Sequence, residues 1–393
     1  MESEIIGFDT WPRTRIVFGF NALDRLGQLA RELPAKRVLL VTDPGIVAAG
    51  HVDRAQHILT AAGVEVVLFD GVRENPTTRD VDNCLAVARD ARIEAIIGLG
   101  GGSSLDTAKG CNFLLTNGGR MQDYWGVGKA TRPMLPLIAV PTTAGTGSEC
   151  QSFALIADEE THQKMACGDP KAAPRIALLD PTLTVSQPHR VTACTGMDAI
   201  VHAVETAVTT RRNEFSALYA REAFRRLITY YPRVLTSPQD LQARAHVMLG
   251  AAFAGVAIEN SMLGAAHSAA NPLTARYHLV HGHAVGLMLP HVVRFNAQQP
   301  EIRALYHDLL CVAGKAERSA DPAQSVSTLV AELNAMLSLA GMRVSLREYG
   351  VDDASIAMLA QEAARQWTAQ FNPRPIFPED FIALYRAALN VCD

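Results

Sequence analysis

The chain has 393 residues, 48% of them hydrophobic and 19% charged, which suits two or three folded domains and excludes a disordered polymer. A formal net charge of −4 gives no electrostatic footprint for nucleic acid, and no basic tract addresses an anionic membrane surface. The acidic start lacks a signal peptide's pattern, no run of about 18 apolar residues is free of charge, and seven scattered cysteines form no CxxC pair. The expectation is a cytoplasmic globular protein with no disulfide framework and no thiolate zinc site.

The first half alternates strands and helices. Arg15-Ile-Val-Phe reads as a strand, and Asn21 is expected to cap a helix reaching Leu33. Residues 36–42 (KRVLLVT) form a continuous apolar strand, as parallel sheets covered on both faces require. It ends in Asp43-Pro-Gly. An acid at such a strand tip suits a ribose 2′-hydroxyl and repels a 2′-phosphate, or it serves turn chemistry with Pro44 and Gly45. A helix near 52–62, a strand Glu65–Phe69, the turn Glu74-Asn-Pro-Thr77 and a helix near 79–91 complete a doubly wound pattern.

Residues 94–109 then run an apolar strand into Gly100, Gly101 and Gly102, a Ser103-Ser104 pair and a helix. Glycine lets the backbone come close to a phosphate, and the open N–H groups of a helix start attract the anion. The usual G-x-G-x-x-G fingerprint is only partly present, and the fitting acid, Asp43, lies upstream instead of about 20 residues downstream. The stretch therefore reads as a phosphate loop of another order, or as a tight strand-to-helix turn. Residues 135–148 form a strand feeding a loop rich in hydroxyl groups, with Thr142, Thr143, Thr146 and Ser148 able to donate to phosphate or ribose oxygens. Phe153-Ala-Leu-Ile-Ala is a further strand, Asp158 opens a turn, Lys164 follows, and the run Ile176–Pro181 closes the half. The domains are expected at 1–182 and 183–393.

After residue 182 the period changes from two to 3.6. Helices are expected over about 191–210, 213–230, 238–259, 261–272, 283–298, 301–314, 322–341, 352–365 and 378–391. The first carries Asp198 and His202, four residues apart and so on one helix face. Alone, such a pair is more often a solvated Asp and a core His. Further histidines at 267, 281 and 283 supply the neutral imidazoles that, with one carboxylate, suit Fe²⁺ or Zn²⁺.

Taken together, Gly100-Gly-Gly-Ser103, Pro141-Thr-Thr-Ala-Gly-Thr-Gly-Ser-Glu149, Leu179-Asp-Pro, Thr195-Gly-Met-Asp-Ala-Ile-Val-His202, His267 and His281-Gly282 resemble the iron-containing (group III) alcohol dehydrogenase family over nearly the whole chain. The resemblance implies an α/β dinucleotide-binding domain followed by an all-α metal-binding domain, the dehydroquinate synthase-like architecture, with the site in the cleft between. It implies metal ligands at Asp198, His202, His267 and His281, with iron expected and zinc as the alternative. It implies cofactor contacts at Gly100, Gly101, Gly102, Ser103, Asp106, Thr142, Thr143, Thr146 and Lys164. Asn75 matches a position beside the nicotinamide, Leu179 and Leu183 match its apolar contacts, and Asp43 matches the position where an acid favours NAD over NADP.

The implied reaction moves a hydride between a primary or small secondary alcohol, or the aldehyde or ketone in reverse, and NAD. Polyol dehydrogenases, maleylacetate reductases and hydroxyacid–oxoacid transhydrogenases share the scaffold, and a non-catalytic NAD- or metal-binding protein is the alternative of another class. A homo-oligomer, as a dimer, is implied as well. Two positions depart from the pattern: Asn271 stands where many members carry a histidine, and Val280 where proline often precedes the ligand. His283 is a further candidate ligand beside His281, and His278 a candidate proton relay.

Overall fold

The computed structural model describes residues 7–389 apart from 34 and 162. It divides into two compact units, one of residues 11–187 and one of residues 188–389 with 7–10. The division expected at 182/183 lies just ahead of that border, inside the short 3-10 segment Pro181–Ser186.

The first unit is built on β1 (Arg15–Phe18), β2 (Arg37–Val41), β3 (Glu65–Phe69), β4 (Ala95–Gly100), β5 (Gly126–Val127), β6 (Leu137–Pro141), β7 (Phe153–Ala157), β8 (Lys164–Gly168) and β9 (Ile176–Leu179). Six of them make a parallel sheet in the order β1-β9-β6-β4-β2-β3. Its helices are α1 (Leu26–Glu32), α2 (Pro44–Ala48), α3 (His51–Ala61), α4 (Thr78–Arg89) and α5 (Gly102–Asn117). Because side chains alternate along a strand, Leu39, Val41 and Ile96 join one core with α4 and α5, while Val38, Leu40 and Ile97 join the other with α1 and α3. That double burial is why β2 reads as unbroken apolar sequence.

After β2 the chain leaves to the α3 face, and after β4 to the α5 face. The carboxyl ends of these neighbouring strands, at Asp43 and Gly100, therefore mark the topological switch point, where ligands bind open α/β sheets. β7 and β8 pair antiparallel in a small second sheet with β5, so Lys164 lies on a strand that the sequence pattern did not announce.

One expectation fails in detail. Asn21 does not cap a helix with its side chain; it takes a left-handed conformation (φ 57°) before the 3-10 turn Ala22–Arg25. The anchor is Asp180, wholly buried, which accepts from the backbone N–H groups of Asn21 (3.0 Å), Leu23 (3.1 Å) and Thr182 (3.0 Å) and from the Thr182 hydroxyl (2.7 Å). The Leu179-Asp-Pro run is thus a structural knot tying β9 to the start of α1.

The second unit is helical: α6 (His189–Thr206), α7 (Glu214–Thr236), α8 (Leu241–Glu259), α9 (Ala265–Tyr277), α10 (His281–Asn296), α11 (Pro300–Val312), α12 (Pro322–Leu339), α13 (Ile356–Ala364) and α14 (Pro378–Leu389). Among the described residues only α8 has the length and apolar composition of a membrane span, and two-thirds of it (67%) is buried where it packs on α6 and α7 as a core helix. α9 continues past Pro272, where a stop was expected, and α10 begins at His281 rather than 283. Glycines bring the helices close. A Cβ on Gly282 would collide with the Cys194 carbonyl, and one on Gly286 would lie 2.6 Å from Met197 Cγ, so α10 and α6 cross nearly backbone to backbone.

Candidate active site

In the helical unit, Asp198, His202 and Glu205 occupy positions i, i+4 and i+7 of α6 and so share one face. His267 comes from the first turn of α9, and His281 is the first residue of α10. Asp198 Oδ1 lies 3.4 Å from His202 Nε2, 3.6 Å from His267 Nε2 and 3.9 Å from His281 Nε2. The ligand atoms of Asp198, His267 and His281 lie within 4.8 Å of one another, and the His202 ring stacks on His267 at 4.9 Å. The three imidazoles that the resemblance implied therefore gather around one oxygen of the fourth residue, Asp198.

The electrostatics suit a cation. Burial alone would raise the Asp198 carboxyl, but His202, His267 and His281 hold it well below the usual range. For His267, burial opposes the charged form, yet Glu205 and Asp198 overcome it and push the imidazole to about 9. Asp198 Oδ1 and His267 Nε2 are buried with no hydrogen-bond partner, a costly state for two polar atoms unless something fills the space between them. A divalent ion satisfies both, and a carboxylate with neutral imidazoles is a donor set that Fe²⁺ and Zn²⁺ accept.

His283, the rival ligand, is engaged elsewhere. Its Nε2 donates to the Met342 carbonyl (2.7 Å), and its Nδ1 accepts from the Tyr349 hydroxyl (3.2 Å). His278 is exposed, in a left-handed conformation (φ 55°) at the C-cap of α9. Asn271 is half-buried and donates to Gln366 Oε1 at 3.0 Å. Glu205 carried no role in the sequence reading, although its i+7 spacing from Asp198 was available as a signal. It receives His267 Nδ1 at 2.5 Å.

In the α/β unit, the loop from β4 into α5 packs against the threonine loop after β6. A Cβ on Gly101 would lie 3.2 Å from Thr143 Cγ2, and one on Gly102 would lie 2.7 Å from Thr146 Cγ2. Gly100 has φ +152° and would drive a Cβ into Ser104. Gly101, the N-cap, offers no side chain to the start of α5, so the first N–H groups remain open to an anion. These are the features of a phosphate cradle. Thr142 is buried, and its N–H donates to the Gly100 carbonyl (2.9 Å). Ser103 is half-buried, and its carbonyl accepts from Thr107.

Asp43 caps α2 through the Gly45 and Ile46 N–H groups, and its other oxygen accepts from Ser104. Asp106 accepts from Ser148 Oγ (2.6 Å), and burial raises its pKa against the pull of Lys109 and Lys164. Lys109, fully buried, donates to the Ser148 carbonyl and hydroxyl and to the Phe153 carbonyl. Leu179 and Leu183 are fully buried, Leu183 in the core beside α1. Asn75 is exposed, in a left-handed turn (φ 53°).

An anion cradle at the switch point of a parallel sheet fits a dinucleotide, and a buried carboxylate–imidazole cluster fits a Lewis-acidic ion. The class they define is a metal-dependent, nicotinamide-linked dehydrogenase. Residues 12–181 match the family described as iron-containing alcohol dehydrogenase, and residues 192–389 match its C-terminal family. Alcohol dehydrogenase 4 of Schizosaccharomyces pombe is 33% identical, over 95% of this chain and 87% of that protein. The NAD-dependent methanol dehydrogenase of Bacillus methanolicus is 32% identical, over 95% and 97%. The crystal structure of a 1,3-propanediol oxidoreductase superposes with a TM-score of 0.93 at 32% identity, covering 98% of this chain and 100% of that one. The chain belongs to the iron-containing alcohol dehydrogenase family. Its activity is that of an NAD-dependent, metal-dependent alcohol oxidoreductase.

Proposed function

We propose that Asp198, His202, His267 and His281 hold a divalent ion, Fe²⁺ or alternatively Zn²⁺, for oxidation of a primary or small secondary alcohol, and for reduction of the aldehyde or ketone in reverse. The observation that carries this is the single carboxylate oxygen of Asp198 facing three imidazole Nε2 atoms at 3.4, 3.6 and 3.9 Å. When bound, the ion supplies Lewis acidity that lowers an alcohol's pKa, and the nicotinamide supplies the hydride acceptor.

The protein's own part is binding and orientation. One carboxylate against neutral imidazoles cancels only half of a divalent charge and leaves a net positive charge for the substrate oxygen. Burial of Asp198, His202 and His267, each 4% exposed, keeps the surroundings dry and strengthens that charge. His281 is the more open of the four. In the α/β unit, Gly100, Gly101, Gly102 and Ser103 cradle the pyrophosphate with the open start of α5. Thr142, Thr143 and Thr146 donate to phosphate or ribose oxygens, Lys164 stands near the cofactor ribose with Asp106 on α5 behind the cradle, and Asn75, Leu179 and Leu183 serve the nicotinamide. Asp43 accepts from the adenosine ribose and so favours NAD over NADP.

Asn271 cannot titrate near neutral pH, so a proton leaving the alcohol travels by water or through His278. The 1,3-propanediol and methanol dehydrogenases among the relatives support small alcohols as the substrate class. A cytoplasmic homo-oligomer, a dimer, is part of the same reading. The test is metal analysis of the purified protein together with a panel of alcohols and aldehydes, using NAD and NADP in parallel. Turnover retained in rigorously metal-free protein would overturn it.

A further inference from the structure

The imidazole cluster leans on a carboxylate outside it. Glu205 is 4% exposed and divides its two oxygens between two donors: Oε2 lies 2.5 Å from His267 Nδ1, and Oε1 accepts the Ala266 N–H at 2.7 Å. The next N–H along, from Ala265, goes to Asn372 Oδ1 at 3.3 Å. Asn372 is in turn clamped to Asn296 by reciprocal amide bonds of 3.2 and 2.8 Å. The start of α9 is therefore pinned to α6 through Glu205, and to α10 through the asparagine pair.

We propose that Glu205 is the positioning residue of the metal centre: it holds the proton of His267 on Nδ1, so that Nε2 presents its lone pair to the cation beside Asp198 Oδ1. The argument is one of hydrogen-bond direction. An ionised carboxylate only accepts, so the nitrogen facing it must donate. A ligating imidazole is neutral: the second proton that Glu205 and Asp198 favour in the absence of a cation would leave as one binds, and with the remaining N–H kept on Nδ1 the Nε2 atom is free to ligate. His267 Nε2 is the buried atom that lacks a hydrogen-bond partner, as this assignment requires. The Ala266 bond fixes Glu205 against the helix that bears His267, which sets the ring's direction as well as its tautomer. The inference rests on the metal reading above.

Glu205→Gln tests it. A glutamine brings one acceptor and one donor to a place where both neighbours donate. The amide NH₂ must oppose the Ala266 N–H or force His267 into the other tautomer. Calorimetric titration of metal-free protein with Zn²⁺ should show Kd raised about 10- to 100-fold in the variant, with Glu205→Asp recovering part of the loss. Imidazole nitrogen NMR of the Zn²⁺-loaded wild type should place the His267 proton on Nδ1, and the variant should lose or shift that signal. A Kd within about twofold of wild type with an unchanged imidazole spectrum would overturn the proposal. So would a wild-type spectrum with the proton on Nε2, a measurement that decides the matter even where the variant fails to fold. Wild-type protein that takes up no Zn²⁺ would overturn the metal reading itself, and the role of Glu205 with it.

Discussion

Ser104 donates to Asp43 across the ends of two neighbouring parallel strands, Oγ to Oδ2 at 3.2 Å. The same aspartate caps α2 through its other oxygen, so its position is fixed twice over. Structural and selective roles can be separated by an isosteric change. Asp43→Asn keeps the capping oxygen and removes the charge that repels a 2′-phosphate. We expect kcat/KM with NADP to rise relative to NAD by on the order of tenfold, or ~1.4 kcal/mol, at nearly unchanged melting temperature. A constant ratio would leave Asp43 a helix cap and nothing more.

The glycine turn makes a separate prediction. Gly102→Ala puts a methyl 2.7 Å from Thr146 Cγ2 and 3.0 Å from Thr146 Oγ1, so two loops must part. NADH affinity, followed by fluorescence titration, should fall about tenfold or more, while bound metal per chain stays at the wild-type level. Equal loss of nucleotide and metal would argue against independent sites.

Two histidines that flank one glycine should behave differently. His281→Ala removes an imidazole facing Asp198, and metal content and turnover should both collapse. His283→Gln leaves that cluster intact but disturbs bonds to Met342 and Tyr349. It should cost about 1–3 kcal/mol of stability with metal retained. Metal analysis beside thermal melts reads both outcomes.

Glu149 sets a pH dependence in the α/β unit. It is 3% exposed, and burial outweighs the pull of Lys109, raising its carboxyl to about 7. With the folded pKa above the unfolded 4.5, the folded state binds the extra proton between those values. Its contribution is therefore fully present below about pH 4.5 and is lost as pH rises through 7. Glu149→Gln should flatten that part of the stability–pH curve and raise stability at pH 8 by roughly 3 kcal/mol, 1.36 kcal/mol for each pKa unit between 4.5 and about 7. Denaturant melts between pH 5 and 8 check it, and parallel curves for both proteins would refute the assignment.

Much of this architecture was legible before any coordinates, for physical reasons that differ by element. β2 could be read because burial on both faces leaves no polar interruption. The helical unit announced itself by period, and Asp198 with His202 by helical stacking. His267 and His281 needed the family resemblance, since convergence of α6, α9 and α10 is a tertiary fact with no local trace. The choice between His281 and His283 turned on where α10 begins and on the Met342 and Tyr349 partners, 59 and 66 residues away. Asn21 misled because its side chain suits a cap, while the orphan N–H groups there are met by Asp180, 159 residues later. Glu205 sat in plain view on the ligand face of α6, but its partner emerges only when α9 docks.

All four residues assigned to the ion belong to the same compact unit, on three helices, α10 crossing α6 closely at Gly282 and Gly286 and α9 tied to α6 through Glu205. Metallation is consequently a property of half the polypeptide. On the proposed assignment, then, starving cells of iron and starving them of NAD should leave inactive forms of this enzyme that differ in metal content.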